Sequence, residues 1–190
     1  MFFESIKAIN GNICHLDYHS KRVNKTRKEV LGLDTPLNLS CINGLFPNTG
    51  IYRLFLAYSK DIETFTYREY ITEYIKTLKI VHAELDYAYK YLNRNNLDKL
   101  YKQRKKADDI LIIVNGLATD TTIANIICWD GTKWYTPDKP LLPGTTRQRL
   151  IDQKKIIPKK ITEEQLFDYK QIVIINALRG IQRVKIISSE

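Results

Sequence analysis

Three dipeptides do most to limit what this chain can fold into: Asn10-Gly11, Asn115-Gly116 and Asp130-Gly131. Each sits between apolar runs. Asn-Gly and Asp-Gly favour two-residue turns in which the backbone takes positive φ, and such turns join antiparallel neighbours. Three hairpins are therefore expected. Phe3 to Ile9 turns at Asn10-Gly11-Asn12 and returns through Ile13 to Leu16. Asp109 to Val114 turns at Asn115-Gly116, and Ile123 to Trp129 turns at Asp130-Gly131 and returns through Lys133 to Thr136.

Between and around these hairpins the pattern changes period. Asp17 is placed to cap a helix running through Leu31, with His19, Val23, Thr26 and Val30 along one face. Asn95 to Lys106 reads as a helix carrying Leu97, Leu100 and Tyr101, and Gly144 to Lys155 as another that opens Gly-Thr-Thr. Gly50 to Tyr58, Leu78 to His82, Gln171 to Ile175 and Arg183 to Ile187 read as strands. Glu63 to Ile75 is ambiguous: Thr66 and Glu69 have capping-box spacing, but Phe65, Tyr67 and the tyrosine-rich composition favour a strand. Thr162 and Gln165 match a second capping box, with Ile161 and Leu166 placed as a hydrophobic staple. Pro36 and Pro47 interrupt a loop-rich stretch, and a boundary is expected near Thr77, dividing the chain into 1–77 and 78–190. The class is α+β, with antiparallel strands dominating.

A hydrophobic content of 44% over 190 residues supports a packed core and argues against disorder. The formal charge of +9 is by default a matter of solvated lysines; an anionic substrate or a nucleic acid are the sharper readings. Basic clusters at Lys21–Lys28, Lys99–Lys106 and Lys154–Lys160, with twelve tyrosines for stacking, raise a nucleic-acid-binding module as one alternative. No RNA- or DNA-binding motif accompanies them, and they lie on predicted helix faces, so no nucleic-acid partner is expected. Cys14, Cys41 and Cys128 lack metal-ligand spacing and read as reduced thiols of a cytosolic protein. No zinc site is expected, since His15, His19 and His82 are the only histidines. The start shows no basic segment followed by an apolar one, and no run approaches the ~18 apolar residues of a span, so neither export nor membrane insertion is expected.

Chemistry enters at Lys90, in the run Asp86-Tyr87-Ala88-Tyr89-Lys90-Tyr91-Leu92-Asn93-Arg94. Tyr87, Tyr89, Tyr91 and Leu92 would desolvate the amine and free it as a nucleophile. By default it is an amphipathic lysine with its stem on aromatic rings. Further on come Ala118-Thr119-Asp120-Thr121-Thr122-Ile123-Ala124-Asn125 and Leu141-Leu142-Pro143-Gly144-Thr145-Thr146-Arg147. Asp120 alone is a turn residue, Gly144-Thr145-Thr146 a plain helix start, Arg22 a solvated charge and Asn176 a turn former. Together, a lysine, an acid and a glycine-threonine turn can hold an aldehyde, a ring nitrogen and a phosphate, the three handles of pyridoxal 5′-phosphate (PLP).

The order and spacing of these runs resemble the class IV aminotransferase family, the fold-type IV PLP enzymes, and within it most resemble the 4-amino-4-deoxychorismate lyase group. Lys90-Tyr91-Leu92-Asn93-Arg94 is similar to the family's lysine motif, and Thr119-Asp120-Thr121-Thr122-Ile123-Ala124-Asn125 to its Thr-Glu-Gly-Ser-x-Ser-Asn segment. Trp134-Tyr135-Thr136-Pro137 and Leu142-Pro143-Gly144-Thr145-Thr146-Arg147 are similar to its Thr-Pro and Leu-x-Gly-x-Thr-Arg segments. Phe3-Glu4-Ser5-Ile6-Lys7, His19-Ser20-Lys21-Arg22-Val23 and Asn176-Ala177-Leu178 resemble the lyase start and a lyase-type phosphate loop.

The resemblance implies a small N-terminal α/β sandwich, a C-terminal antiparallel-rich barrel-like domain, and a cytoplasmic homodimer acting on a small anionic amino-acid-like substrate. Lys90 would be the Schiff-base lysine and proton carrier. Asp120 would pair with the ring nitrogen, and Arg22, Thr145 and Thr146 would hold the phosphate with Asn176 and Ala177. Ser5, Lys7 and Arg53 are candidate substrate contacts, while Asn125 and Arg94 look structural. Two departures stand out: Asp120 replaces the family's usual Glu, and the N-terminal half is short. The implied reaction is elimination giving 4-aminobenzoate and pyruvate. Transamination of a branched-chain or D-amino acid, or a non-catalytic descendant of the fold, are the alternatives on the same scaffold.

Overall fold

The first hairpin forms at Asn10-Gly11. In the computed structural model, described over residues 1–187, β1 (Phe2–Ile9) turns back into β2 (Asn12–Ile13). Asn10 and Gly11 take φ of 47° and 77°, the left-handed pair that such a turn requires. The return strand is shorter than expected, because Leu16 opens α1 (Leu16–Leu31) instead of closing a strand. His15, in the left-handed region, occupies the position before α1 without a side-chain capping bond, and Asp17 lies inside the first turn, where its charge still complements the helix N-terminus. Gly32 ends α1 at φ 67°, its amide bonding to the carbonyls of Arg27 and Lys28. His19, Val23 and Thr26 are buried as the helical period predicts; Val30, one turn on, is 40% exposed.

β3 (Ile51–Tyr58) and β4 (Ile62–Glu69) complete a four-stranded antiparallel sheet in the order β2-β1-β3-β4. Thr66 and Glu69 lie within β4, so the strand preference wins over the capping-box spacing there. Period-two alternation sorts β1: Phe2, Ile6 and Ala8 pack with Val23 of α1 and with Leu54, Leu56 and Tyr58 of β3. Phe3, Ser5 and Lys7 face the other way.

The rest of the chain builds a barrel. Its strands are β5 (Thr77–His82), β6 (Asp109–Val114), β7 (Leu117–Thr121), β8 (Asn125–Trp129), β9 (Trp134–Pro137), β10 (Ile157–Lys159), β11 (Gln171–Asn176) and β12 (Gly180–Ile187). Six of them close in the order β8-β11-β12-β5-β6-β7, with β7 returning to β8 at the pair Asp120↔Asn125; β9 and β10 extend outward from β8. β12–β5 and β5–β6 run parallel and the other ring pairs antiparallel. Closure leaves no free edge within the ring. Alternate residues fill one cluster: Leu78, Leu111, Ile113, Ile126, Cys128, Ile172, Ile174 and Val184. Residues of the opposite parity, Ile127, Val173 and Ile175, pack with Leu150 of α3 (Thr145–Asp152). Strands covered on both faces read as continuous apolar runs, as β6 and β11 do.

α2 (Asn95–Tyr101) is shorter than its sequence pattern, passing into a 3-10 turn over Lys102–Arg104 before Lys105 takes φ 53° and stops it. The second capping box forms: Thr162 N donates to Gln165 Oε1 at 3.1 Å and Gln165 N to Thr162 Oγ1 at 3.4 Å, with Ile161 and Leu166 both buried. By contact the chain divides into Met1–Thr72 with Tyr89–Asn93, and Glu73–Ala88 with the remainder from Arg94. The change comes before Thr77 because Ile75 is already in the barrel core, and Gln182 donates to the Glu73 carbonyl. Lys90 travels with the first unit: Phe3 N donates to its carbonyl, and Leu92 N to that of Met1. No helix of the described residues is long and apolar enough to cross a membrane.

Candidate active site

Lys90 follows a strand-like alternation. Tyr89 and Tyr91 pack against Phe2, with ring centroids 6.3 and 5.3 Å away, whereas the Lys90 amine lies 4.5 Å above the ring of Phe3. Phe2 and Phe3 are neighbours on β1 and so occupy opposite faces. Tyr89 and Tyr91, expected to desolvate the amine, therefore belong to the core side, and Phe3 supplies an apolar surface on the other. Such a contact is worth about 0.5–1 kcal/mol when exposed and more when dry. Ser5, Lys7 and Arg53 share the face of Phe3, and Arg53 Nη2 donates to Ser5 Oγ at 3.0 Å.

On the helix side of the same sheet, Arg22 is held by Glu4. Its Nε donates to Oε1 at 2.8 Å and its Nη2 to Oε2 at 2.6 Å, while His19 Nδ1 bonds to Oε2 at 2.7 Å. Glu4 is fully buried. Burial alone would raise its pKa, but Arg22 and His19 outweigh it and hold the carboxylate at about 2. The residues at β1 and α1 spacing thus give Arg22 one fixed orientation. Glu4 and His19 were not singled out by sequence reasoning, although Glu4 stands in an otherwise apolar alternation, which marks a buried acid. His15 and His19 are four apart, but no group of three or more His, Cys, Asp or Glu residues is placed to hold a metal among the described residues.

In the second unit Asp120 ends the barrel's shortest pairing. Oδ1 accepts from Asn125 Nδ2 at 2.7 Å and Oδ2 from Leu142 N at 2.8 Å. It is 5% exposed and forms no ion pair among the described residues. Burial pushes its pKa up to about 7, against the lowering effect of the Leu142 and Asn125 donors and the more distant Arg147 charge. A buried carboxyl without a cation is costly when ionised. Asn125 Nδ2 also donates to Leu142 O at 2.8 Å, and so ties β8 to the loop before α3.

That loop delivers Gly144, Thr145 and Thr146. No side chain caps α3, and the amides of Thr145, Thr146 and Arg147 meet no acceptor among the described residues. Both threonines are buried, at 7% and 8% exposure. Arg147 is buried as well, donating from Nη2 to Pro137 O at 2.8 Å and from Nε to Thr136 Oγ1 at 3.3 Å. Asn176 is committed locally: Oδ1 accepts from Leu178 N and Arg179 N, and Nδ2 donates to Ile123 O at 3.3 Å. Ala177 is half-buried in the same turn. Arg94 Nη2 donates to Thr122 O at 2.8 Å.

Residues 54–187 match the amino-transferase class IV family. The chain belongs to that family. A Haemophilus influenzae protein of uncharacterised function is 32% identical over 94% of this chain and 98% of its own length. A crystal structure from Haemophilus somnus, provisionally named a 4-amino-4-deoxychorismate lyase, is 33% identical, with a TM-score of 0.86 over 94% of this chain and 96% of that one. One from Mesorhizobium loti, provisionally named an amino-acid aminotransferase, is 23% identical, with a TM-score of 0.82 over 98% and 99%. As a member of the class IV family, the chain has the fold expected of it, a small α/β unit and a barrel. Within that fold, the two unaccepted features of the second unit, a buried acid without a cation and a helix start without a cap, are contributed by the motif runs around Asp120 and Gly144.

Proposed function

We propose that this class IV aminotransferase relative is a PLP-dependent lyase that converts 4-amino-4-deoxychorismate to 4-aminobenzoate and pyruvate. The observation that carries the cofactor assignment is Asp120. A buried carboxyl with a pKa near 7 and no ion pair suits a partner that brings its own positive charge, as a protonated pyridine nitrogen does. The α3 amides, with Thr145 and Thr146, suit a phosphate, and the resemblance adds Arg22. Asp120 is one methylene shorter than the family's usual Glu, and the donors from Asn125 and Leu142 set where its oxygens stand.

When bound, PLP would serve as an electron sink for charge developing at the substrate carbon. The chain's own groups would do the rest. Lys90 Nζ would hold the cofactor aldehyde until the substrate amine replaces it there and, so freed, would take the proton from the substrate carbon that bears the amine. Arg22, aligned by Glu4, would hold the phosphate end. Loss of the proton and cleavage of the bond to the enolpyruvyl oxygen give an aromatic ring, and the enol takes up a proton to become pyruvate. No amino acceptor is consumed. The likeness to the Haemophilus somnus protein, above that to named aminotransferases in identity, supports elimination over transamination.

The test is to load purified protein with PLP and supply 4-amino-4-deoxychorismate. The expected results are a visible absorbance band lost in Lys90→Ala, and fluorescent 4-aminobenzoate with equimolar pyruvate. Turnover of amino donors with 2-oxoglutarate, with no 4-aminobenzoate formed, would establish transamination instead. A band that persists in Lys90→Ala would remove Lys90 from its role.

A further inference from the structure

β6 opens on a buried acid. Asp109 is 1% exposed, and its two oxygens are treated differently. Oδ1 accepts from Ile110 N at 2.8 Å and from Thr122 Oγ1 at 2.8 Å. Oδ2 is buried with no hydrogen-bond partner, and no cation lies within ion-pair distance of the carboxyl among the described residues. Burial pushes its pKa up, against the lowering effect of the Thr122 and Ile110 donors. A buried acceptor left in this way is costly until a donor is brought to it.

Asp109 belongs to the wall of a cavity of about 600 Å³ whose lining lies wholly within the second unit. That is an ordinary size for a small-molecule site. Asp120, Thr145, Thr146 and Asn176 are not in the wall, so the cavity is separate from the groups assigned to the cofactor. The other acids of the wall are engaged. Asp108 Oδ2 accepts from the amides of Lys76 and Thr77, Glu73 pairs with Arg179 at 3.4 Å, and Asp98 lies 3.9 Å from Arg94. Arg104, by contrast, meets no carboxylate among the described residues. It is half-buried, its guanidinium 4.0 Å over the ring of Tyr101, and its Nη1 donates to Tyr101 O at 3.3 Å. One wall thus carries an acid and a base, each without a counter-ion and too far apart to serve one another.

We propose that this cavity is a second ligand site that takes a small zwitterion, its cationic nitrogen on Asp109 Oδ2, its carboxylate on Arg104 and its apolar body against Tyr101 and Ile123. A plain anion would leave Asp109 unserved, and a plain amine would leave Arg104 so. Asp109 Oδ1 meanwhile holds Thr122, two residues beyond Asp120, so the site lies against the turn that carries that acid. The assignment does not rest on the reading of Lys90.

The test is calorimetric titration of PLP-loaded protein with three probes. N,N-dimethyl-L-phenylalanine is a zwitterion whose tertiary ammonium cannot form a Schiff base. Hydrocinnamate lacks its cation, and N,N-dimethylphenethylamine lacks its carboxylate. Wild type should bind the zwitterion about tenfold more tightly than either, the value of one added charge-assisted contact. In Asp109→Asn, which keeps an acceptor for Thr122, the zwitterion should fall to the affinity of hydrocinnamate. In Arg104→Gln, a change on the half-buried side of a helix end, it should fall to that of the amine. Lys90→Ala should bind all three as wild type does. Equal affinity for the three probes in wild type, or no binding of the zwitterion at millimolar concentration, would overturn the site. So would a full preference for the zwitterion in either cavity variant, or loss of binding in Lys90→Ala, which would put the probe in the cofactor cleft. Should Asp109→Asn fail to fold, Arg104→Gln decides alone.

Discussion

Gly144 fits against Asn125 because it has no side chain. A Cβ at residue 144 would fall inside the van der Waals radius of Asn125 Oδ1. Asn125 has little freedom to retreat, since its Nδ2 bridges Asp120 Oδ1 and Leu142 O. The backbone at Gly144, φ −70° and ψ 146°, is one that alanine adopts readily, so Gly144→Ala tests contact alone. It should cost about 1–3 kcal/mol, as overpacking does, and lower Tm by roughly 3–10 °C. Thermal denaturation monitored by circular dichroism reads this directly; an unchanged Tm would show that Asn125 repositions freely.

Glu4 predicts an acid limb. Its folded pKa of about 2 lies below its ordinary 4.5, so the stability it contributes is present above pH 4.5 and is lost as pH falls toward 2. Glu4→Gln leaves Arg22 and the buried His19 without their carboxylate and should destabilise the protein by about 3–5 kcal/mol at neutral pH. Urea denaturation of both proteins between pH 3 and 7 should show the gap closing as pH drops. A constant gap would mean that charge at Glu4 is not the cause.

Asp120 predicts the opposite slope. Its pKa rises from an ordinary 3.8 to about 7 on folding, so between those values the unfolded chain binds fewer protons than the folded one. Stability attributable to Asp120 therefore falls as pH rises through that window, and levels off above about 7. Asp120→Asn should remove this component and give a flatter profile from pH 5 to 8 than wild type. Parallel profiles for the two proteins would contradict the assignment of the buried charge.

The three thiols should separate by reactivity. Cys128 is buried in the barrel, and burial pushes its thiol up to about 12, which leaves almost no thiolate at neutral pH. Cys14 is half-buried and Cys41 exposed. Titration with a disulfide reagent under native conditions should modify Cys41 first and leave Cys128 untouched until denaturant is added. Rapid native modification of Cys128 would indicate that the barrel opens easily.

The turns and the alternation made most of the architecture readable. Asn10-Gly11 and Asn115-Gly116 turn as their φ preferences require, and the ambiguous stretch is strand as far as Glu69, where β4 stops. What local pattern could not supply was pairing over long distance. Nothing in Leu78 to His82 says that it lies parallel to both β6 and β12, and that placement is what closes the ring. The order of the motifs pointed to Lys90, Asp120 and Gly144, but not to how their surroundings are built. Tyr89 and Tyr91 flank Lys90 in sequence and for that reason face away from it. Glu4 became interpretable once Arg22 and His19 were brought to it from one turn of α1.

The single residue pair that joins β7 to β8 is Asp120↔Asn125, and the same two side chains are hydrogen-bonded. The acid read here as the partner of a ring nitrogen is therefore also the clasp of the barrel. Two demands fall on one carboxylate, and they cannot drift apart. A descendant that abandoned chemistry would still be held to an acid or its close isostere at this position by the need to stay folded, whereas Lys90, which closes no seam, would be released. Among chains of this architecture, the lysine is the better witness to a working enzyme.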